Sequence, residues 1–353
     1  MVNIQNYLFT AKSCFRKPAL FKRMLPGYGR SLFSKSGPLR FMDVSIGYDC
    51  NFQCKHCSAE ALKRDETLLT LAEYCLFAEE AMSCGVVAFH FTGGEPLLRP
   101  DLMDIVQAFQ PQRNFISVAS NGWFVDDSFL TDFKEVGGDA ICISVDSVDS
   151  ETHDEFRNRS GSWRKAVEGL RLASKFGFRT LLSATVTHQA MHDGSLEELT
   201  RFSKSLGAVL SLNLAVPAGN WQGCMDFILT PDDRAALNAH IKANPHVRTD
   251  FQSNWRIRGC PAMKEKCYLT PYGDVIPCPF IHVAFGNVRK QPLRQIRAEA
   301  LRHRWLKEYQ PVCIAAECLE FIESAGCYNG GKRSLPLDYR VSGAFCKWTS
   351  GNL

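Results

Sequence analysis

The sequence predicts an α/β fold of parallel strands followed by a cysteine-rich extension. Two observations carry this expectation. Between about residues 41 and 216, strand-length apolar runs alternate with amphipathic helical stretches, six strands in all. Beyond residue 230 that alternation stops, and seven of the fifteen cysteines fall between 260 and 346. Strict alternation implies parallel strands joined by right-handed crossovers, a pattern that an open doubly wound sheet and a barrel both satisfy.

The elements follow in order. Phe41–Ile46 alternates like a strand and runs straight into a loop holding three cysteines. Leu71, Tyr74, Cys75, Ala78 and Met82 share one face of a helix over about 70–84. Strands at Val86–Phe91, Phe115–Ala119, Asp139–Val145, Thr180–Thr187 and Val209–Val216 then alternate with helices at Pro100–Phe109, Asp127–Val136, Trp163–Lys175 and Leu196–Leu206. The strands read as apolar throughout, as expected where both faces are covered. A linking helix over 229–242 has Thr230 as its N-cap and Pro231 at its first position.

Composition narrows the function classes. With 45% hydrophobic and 22% charged residues the chain reads as globular, and no run of 18 apolar residues would make a membrane-spanning helix. The absence of a signal-peptide pattern leads us to expect a reducing, cytoplasmic setting without disulfides. The scattered Cys14, Cys75, Cys84, Cys142 and Cys224 are then expected to be small buried apolar residues. The net charge of +4 is uneven: eight basic residues, from Lys12 to Arg40, precede the first acid, Asp43. Such an arm either packs across the fold or gives residues 1–40 peripheral contact with an anionic membrane; a mitochondrial presequence would share its composition. No nucleic-acid partner is expected.

The segment YDCNFQCKHCSAE spaces Cys50, Cys54 and Cys57 as Cys-x3-Cys-x2-Cys directly after the first strand. Three thiolates on one loop can occupy three irons of a [4Fe–4S] cube and leave the fourth without a protein ligand. Structural zinc wants four ligands, and His56 lies awkwardly between two of the cysteines. This spacing, with an aromatic ring just before the last cysteine, resembles the signature of the radical S-adenosylmethionine enzymes. The resemblance implies a partial (β/α)6 TIM-like barrel, and a cluster whose open iron is chelated by the amine and carboxylate of S-adenosylmethionine. It further implies reductive cleavage to a 5′-deoxyadenosyl radical that abstracts hydrogen, and an electron donor such as flavodoxin or ferredoxin.

Later motifs fit the same family. Gly93-Gly94-Glu95-Pro96 ends the second strand; paired glycines let backbone approach a ligand, and in the family this motif holds the methionine amine. Asn121 in ASNG, and Ser144 and Asp146 in ISVDSVDSETHDEFR, end the next two strands and resemble residues that reach the ribose and methionine. Alternatively they are ordinary turn and cap residues. LAVPAGN, with Val216, resembles the segment bordering the adenine.

Cys260-x6-Cys267, Gly273-x4-Cys278, and then Cys313, Cys318, Cys327 and Cys346 resemble the SPASM extension of one branch, which carries up to two auxiliary [4Fe–4S] clusters. Family pairing would give the first cluster Cys260, Cys267 and Cys278, and the second Cys313, Cys318, Cys327 and Cys346. The spacing departs from the family pattern: Gly331 stands where a cysteine is expected, which leaves the first cluster short of a ligand. A zinc knuckle is the competing reading.

These readings divide the chain into a basic arm (1–39), a radical-enzyme barrel (40–228), a linking region (229–254) and an auxiliary-cluster domain (255–353). The function expected is an oxidoreductase-type radical enzyme acting on a small-molecule or lipid-like substrate, with a ribosomally made peptide as the alternative. A non-catalytic iron–sulfur or zinc protein is the reading from another class, but it would have no need for Gly93–Pro96.

Overall fold

The computed structural model describes residues 16–24, 38–253, 259–326 and 334–346. Six parallel strands follow the expected order: β1 (Phe41–Ser45), β2 (Ala88–Thr92), β3 (Phe115–Ser120), β4 (Ala140–Ser144), β5 (Arg179–Val186) and β6 (Val209–Leu214). Two strands that the sequence reading missed extend this sheet. β7 (Val247–Thr249) pairs parallel with β6, and β8 (Lys266–Leu269) pairs parallel with β1. Among the described residues β7 and β8 do not pair with each other, so the barrel is partial. β8 turns back into β9 (Asp274–Ile276) through the expected Pro/Gly turn, in which Gly273 has φ +92°. The cysteine-rich segment therefore begins as an edge of the barrel sheet.

The strands are not apolar throughout. Their helix-facing residues, among them Met42, Val44, Phe89, Phe91, Ile141 and Ile143, are wholly buried. The alternate residues, Asp43, His90, Ser117, Cys142, Ser183 and Asn213, line a cavity of about 510 Å³ inside the barrel. Period-two alternation sends one set to each side. Here the inner set mixes these polar residues with apolar ones such as Phe41, Phe115 and Leu181 around an open volume, which marks the lumen as a binding volume rather than packed core.

Helices cover the outside. Helix α1 (Leu71–Ser83) starts at a capping box in which the Thr70 hydroxyl accepts from Glu73 N and the Glu73 carboxylate accepts from Thr70 N. Helix α2 (Leu102–Ala108) is followed by Phe109, whose ring takes edge contacts from Phe89 and Phe91 at 4.8 and 5.2 Å. Helix α3 (Asp127–Glu135) precedes a short helix α4 (Ser150–Arg157) that the sequence reading left as turn and cap. Asp149 caps α4 by accepting from Thr152 N at 2.8 Å. Helices α5 (Ser162–Lys175), α6 (Ser195–Ser205) and α7 (Pro231–Ala243) complete the wrap, the last with the expected Thr230 cap.

The described part of the basic arm packs rather than floats. Lys17 donates to the carbonyls of Asn114 and Gly137 and pairs with Asp139, while Arg23 donates to the carbonyls of Arg113 and Val86. These partners precede β2, β3 and β4, so residues 18–24 close the N-terminal end of the barrel, with Leu20 and Met24 at the cavity floor. Lys17 and Arg23 are spent on this contact and are not offered to a membrane. Lys12, Arg30 and Lys35 lie outside the described residues. Among the described residues no helix is long and apolar enough to cross a membrane. Cys75 and Cys224 are exposed rather than buried, and Cys84 and Cys142 are half-buried; Cys14 lies outside the described residues.

Candidate active site and auxiliary cysteines

The loop after β1 carries Cys50, Cys54 and Cys57 as free thiols that line the cavity. Its shape is imposed by neighbouring loops. After β2, Gly94 N donates to Gly47 O at 2.9 Å and Glu95 N to Asp49 O at 2.8 Å. After β6, Asn220 N donates to Cys57 O at 2.9 Å and its side-chain amide to Cys54 O at 3.0 Å. After β4, the carbonyl of Phe156 accepts from Lys55 N at 3.1 Å. Backbone donors and acceptors are thus consumed on both sides of the thiols, leaving the sulfurs free to face the lumen.

Glycine is required at three of these contacts. A Cβ on Gly93, whose φ is +132°, would lie 2.1 Å from Gly47 O; one on Gly94 would lie 2.2 Å from Asp49 O. A Cβ on Gly219 would lie 2.1 Å from Cys57 O. The sequence reading expected Gly93 and Gly94 to admit a ligand. Both do line the cavity, but the close approach they permit is to the cysteine loop.

Glu95 and Pro96 are absent from the cavity wall. The buried Glu95 carboxylate accepts from Asn121 N at 2.7 Å, Ser120 Oγ at 2.9 Å and Leu97 N at 3.2 Å, bracing the end of β2 against that of β3. Burial raises its pKa to about 7, against the pull of those donors. Pro96, itself buried, opens a short turn. Asn121, Ser144 and Asp146 do line the cavity, and the Asn121 amide donates to Asn51 Oδ1 at 2.8 Å and lies 4.0 Å from Cys50 Sγ. Val216 belongs to the apolar core and is off the wall; the end of β6 meets the site through Gly219 and Asn220 instead.

Arg157 was not singled out from sequence. The last residue of α4, it holds Asp146 through Nε at 2.7 Å and Nη2 at 2.6 Å, and its Nη1 lies 3.8 Å from Cys54 Sγ. Burial is the largest influence on Asp146 and would raise its pKa, yet the Arg157 charge, His56, His153 and the hydrogen bond from Thr185 N together outweigh it and hold the carboxyl below its usual range. The only sequence signal for this arginine is its place at the end of a capped polar helix. Nearby, His56 stacks on Phe156 at 4.4 Å and 12°, with burial driving its pKa down to about 4. The ring before the last cysteine therefore packs as a neutral aromatic.

The donor set fits an iron–sulfur cube better than a single ion. Among the described residues, the group of three donors whose ligand atoms all lie within 4.8 Å of one another is His188, His192 and Asp233, and not the loop thiols. In that group both imidazoles hydrogen-bond to Asp233, at 2.6 and 2.7 Å, tying the loop after β5 to the cap of α7. Wider spacing suits three corners of a cube. Burial pushes the Cys50 thiol up to about 11 and raises Cys54 as well, so these groups release protons when cationic iron takes their place.

Among the C-terminal cysteines, Cys267 stands apart. Cys267 lies opposite Met42 in the β8–β1 register, with its Sγ 3.4 Å from Met42 Sδ in the core. On a strand, neighbours Lys266 and Cys267 must face opposite sides; Lys266 takes the lumen and Cys267 the core. Cys260, Cys278 and Cys313 instead lie near enough to one another for their charges to interact. After burial, the thiols of Cys260 and Cys278 are the main influences raising Cys313, and Cys278 is itself pushed up to about 12. Cys260 N donates to Gln310 O at 2.8 Å, drawing the first and third segments together. Cys318 is half-buried at the start of the helix Leu319–Ala325. Cys327 and the Cys346 side chain lie outside the described residues.

Comparison with known proteins agrees with this architecture. The radical SAM superfamily matches residues 44–202, and the SPASM iron–sulfur cluster-binding domain matches residues 260–319. The AdoMet-dependent heme synthase of Methanosarcina barkeri is 25% identical over 337 residues, covering 86% of this chain and 94% of that protein. The subtilosin biosynthesis protein AlbA of Bacillus subtilis is 24% identical over 305 residues, covering 82% and 67%. Among solved structures, Streptococcus suis SuiB bound to S-adenosylmethionine aligns with a TM-score of 0.59 at 15% identity. That alignment spans 74% of this chain and 65% of SuiB, and it speaks to fold alone. A three-thiol loop facing the lumen and a second cysteine group beyond the barrel, with both families matched in sequence, make this chain a member of the radical SAM superfamily in its SPASM branch, an enzyme of [4Fe–4S] clusters and S-adenosylmethionine.

Proposed function

We propose that the chain is a radical oxidoreductase whose small-molecule substrate binds inside the barrel lumen. The observation that carries this reading is the cavity itself. It runs from the three loop thiols to Leu20 and Met24, and its wall mixes polar residues such as His90, Ser117 and Asn213 with apolar ones such as Phe41, Phe115 and Leu181. A volume of about 510 Å³ lined by both polar and apolar groups suits a compact molecule. The resemblance to heme synthase over most of the chain supports a small substrate.

Cys50, Cys54 and Cys57 would hold the catalytic cluster, which when bound supplies the electron that turns S-adenosylmethionine into a hydrogen-abstracting 5′-deoxyadenosyl radical. The electron would come from a small reductant protein such as a flavodoxin or ferredoxin. Asn121, Ser144 and the Asp146–Arg157 pair lie on the same cavity wall, where they would orient the cofactor. Arg157 also places a fixed positive charge beside the Cys54 thiolate. Cys260, Cys278 and Cys313 would hold an auxiliary cluster, with the fourth position open or filled from elsewhere. A peptide substrate is the second reading, because AlbA is a bacteriocin biosynthesis protein and SuiB was crystallised with a precursor peptide.

The test is anaerobic turnover of reduced, reconstituted protein with S-adenosylmethionine, followed by chromatography for 5′-deoxyadenosine. Deuterated candidate small molecules and peptides are then added in turn. Our reading expects deuterium in 5′-deoxyadenosine from a small molecule. Transfer from a peptide alone would favour the second reading, and no 5′-deoxyadenosine under any condition would refute both.

A further inference from the structure

Outside the lumen, two imidazoles converge on one buried carboxylate. His188 and His192 flank the short turn Gln189–Met191 in the loop after β5, and Asp233 lies in the first turn of α7. The Asp233 side chain is 2% exposed, whereas those of His188 and His192 are 45% and 62% exposed. His188 Nδ1 lies 2.6 Å from one carboxylate oxygen, and His192 Nε2 lies 2.7 Å from the other. The two rings are 4.7 Å apart between centroids and tilted by 62°. One ligand atom from each of the three side chains falls within 4.8 Å of the other two. Metal–ligand bonds of about 2.0–2.2 Å ask for only a small shift, which two exposed rings can make. The carboxylate is already oriented: Thr230 N donates to its Oδ2 at 2.8 Å, and ligating carboxylates are usually fixed by such a bond.

We propose that His188, His192 and Asp233 form a binding site for one divalent transition-metal ion of the zinc type, separate from both cysteine sites. Two imidazoles and a carboxylate suit such an ion, whereas calcium and magnesium prefer oxygen ligands throughout. The exposed side of the rings leaves the remaining coordination positions to water. The ion joins the loop after β5 to the start of α7, where His188 N already donates to Phe227 O at 3.0 Å. The Phe227 ring stacks on Trp221 at 4.3 Å, and the adjacent Asn220 is the residue whose N–H holds Cys57 O. The site therefore staples the segment that braces the cysteine loop, and its role is structural. It does not depend on what the lumen binds.

The test uses full-length protein with its iron sites reconstituted, so that the clustered thiols are not open to added metal. Zinc is titrated anaerobically by calorimetry into wild type, His188→Ala and His192→Ala. We expect one saturable site per chain in wild type, weakened about tenfold or more in each variant. Zinc-edge X-ray absorption should show nitrogen and oxygen ligands at about 2.0–2.1 Å. Sulfur ligands at about 2.3 Å would put the ion on cysteines and overturn the proposal. A measurement that needs no variant protects against misfolding: bound zinc should shield His188 and His192 of wild type from diethyl pyrocarbonate, read by peptide mass mapping. No saturable binding, equal affinity in a folded His192→Ala, or no shielding would overturn the proposal as well.

Discussion

Cys50, Cys54 and Cys57 sit within eight consecutive residues and are held by backbone from the loops after β2, β4 and β6. Cys260, Cys278 and Cys313 instead come from segments spread over more than fifty residues, drawn together by contacts such as Cys260 N to Gln310 O. The first site is a short loop made rigid from outside. The second is an assembly of separate segments, and the position of each thiol depends on the strand or turn that carries it. Spacing along the chain therefore reports the first site faithfully and the second poorly.

The largest effect should come from breaking a support of the first site without touching a thiol. Gly94→Val would drive a side chain into Asp49 O, which lies 2.2 Å from the position of its Cβ. We expect loss of the loop cluster, seen as a fall of about four irons per chain and absence of 5′-deoxyadenosine. Normal iron with merely weaker cofactor binding would instead mean that these glycines serve the ligand.

Next is the buried link between Asp146 and Arg157. Arg157→Gln leaves the Asp146 carboxylate without its partner, which should cost about 3–5 kcal/mol in denaturant unfolding. Replacing both as Asp146→Asn/Arg157→Gln should recover part of that loss, because no unpaired buried charge remains. Equal instability of the single and double variants would mean that the pair is not coupled.

The smallest effects sharpen the second site. Cys278→Ala should lower auxiliary iron, whereas Cys267→Ala should leave iron unchanged and cost only about 1 kcal/mol of core packing. Iron lost in Cys267→Ala and kept in Cys278→Ala would reverse the assignment.

Much of the first region was legible because local rules decided it. Apolar runs marked β1 to β6, and Thr230-Pro231 marked the start of α7. What escaped the sequence was set by tertiary context. β7 is only three residues, Val-Arg-Thr, and exists as an edge on β6. α4 is too polar for its sequence to show a helical face, and with it went Arg157, whose importance lies in reaching Cys54 across the fold. Gly93 and Gly94 were recognised as close-approach residues, but a sequence cannot say which backbone approaches. Cys267 shows the same limit: its chain spacing suits a ligand, while strand alternation turns it into the core.

The central claim is that the two cysteine sites are separate, and that the first alone cleaves S-adenosylmethionine. Iron and 5′-deoxyadenosine measured together on the triple variant Cys50→Ala/Cys54→Ala/Cys57→Ala test it most directly. The account predicts loss of about four irons per chain and of all 5′-deoxyadenosine, with the remaining auxiliary iron intact. Residual cleavage of S-adenosylmethionine, or loss of every iron atom from a folded protein, would contradict it.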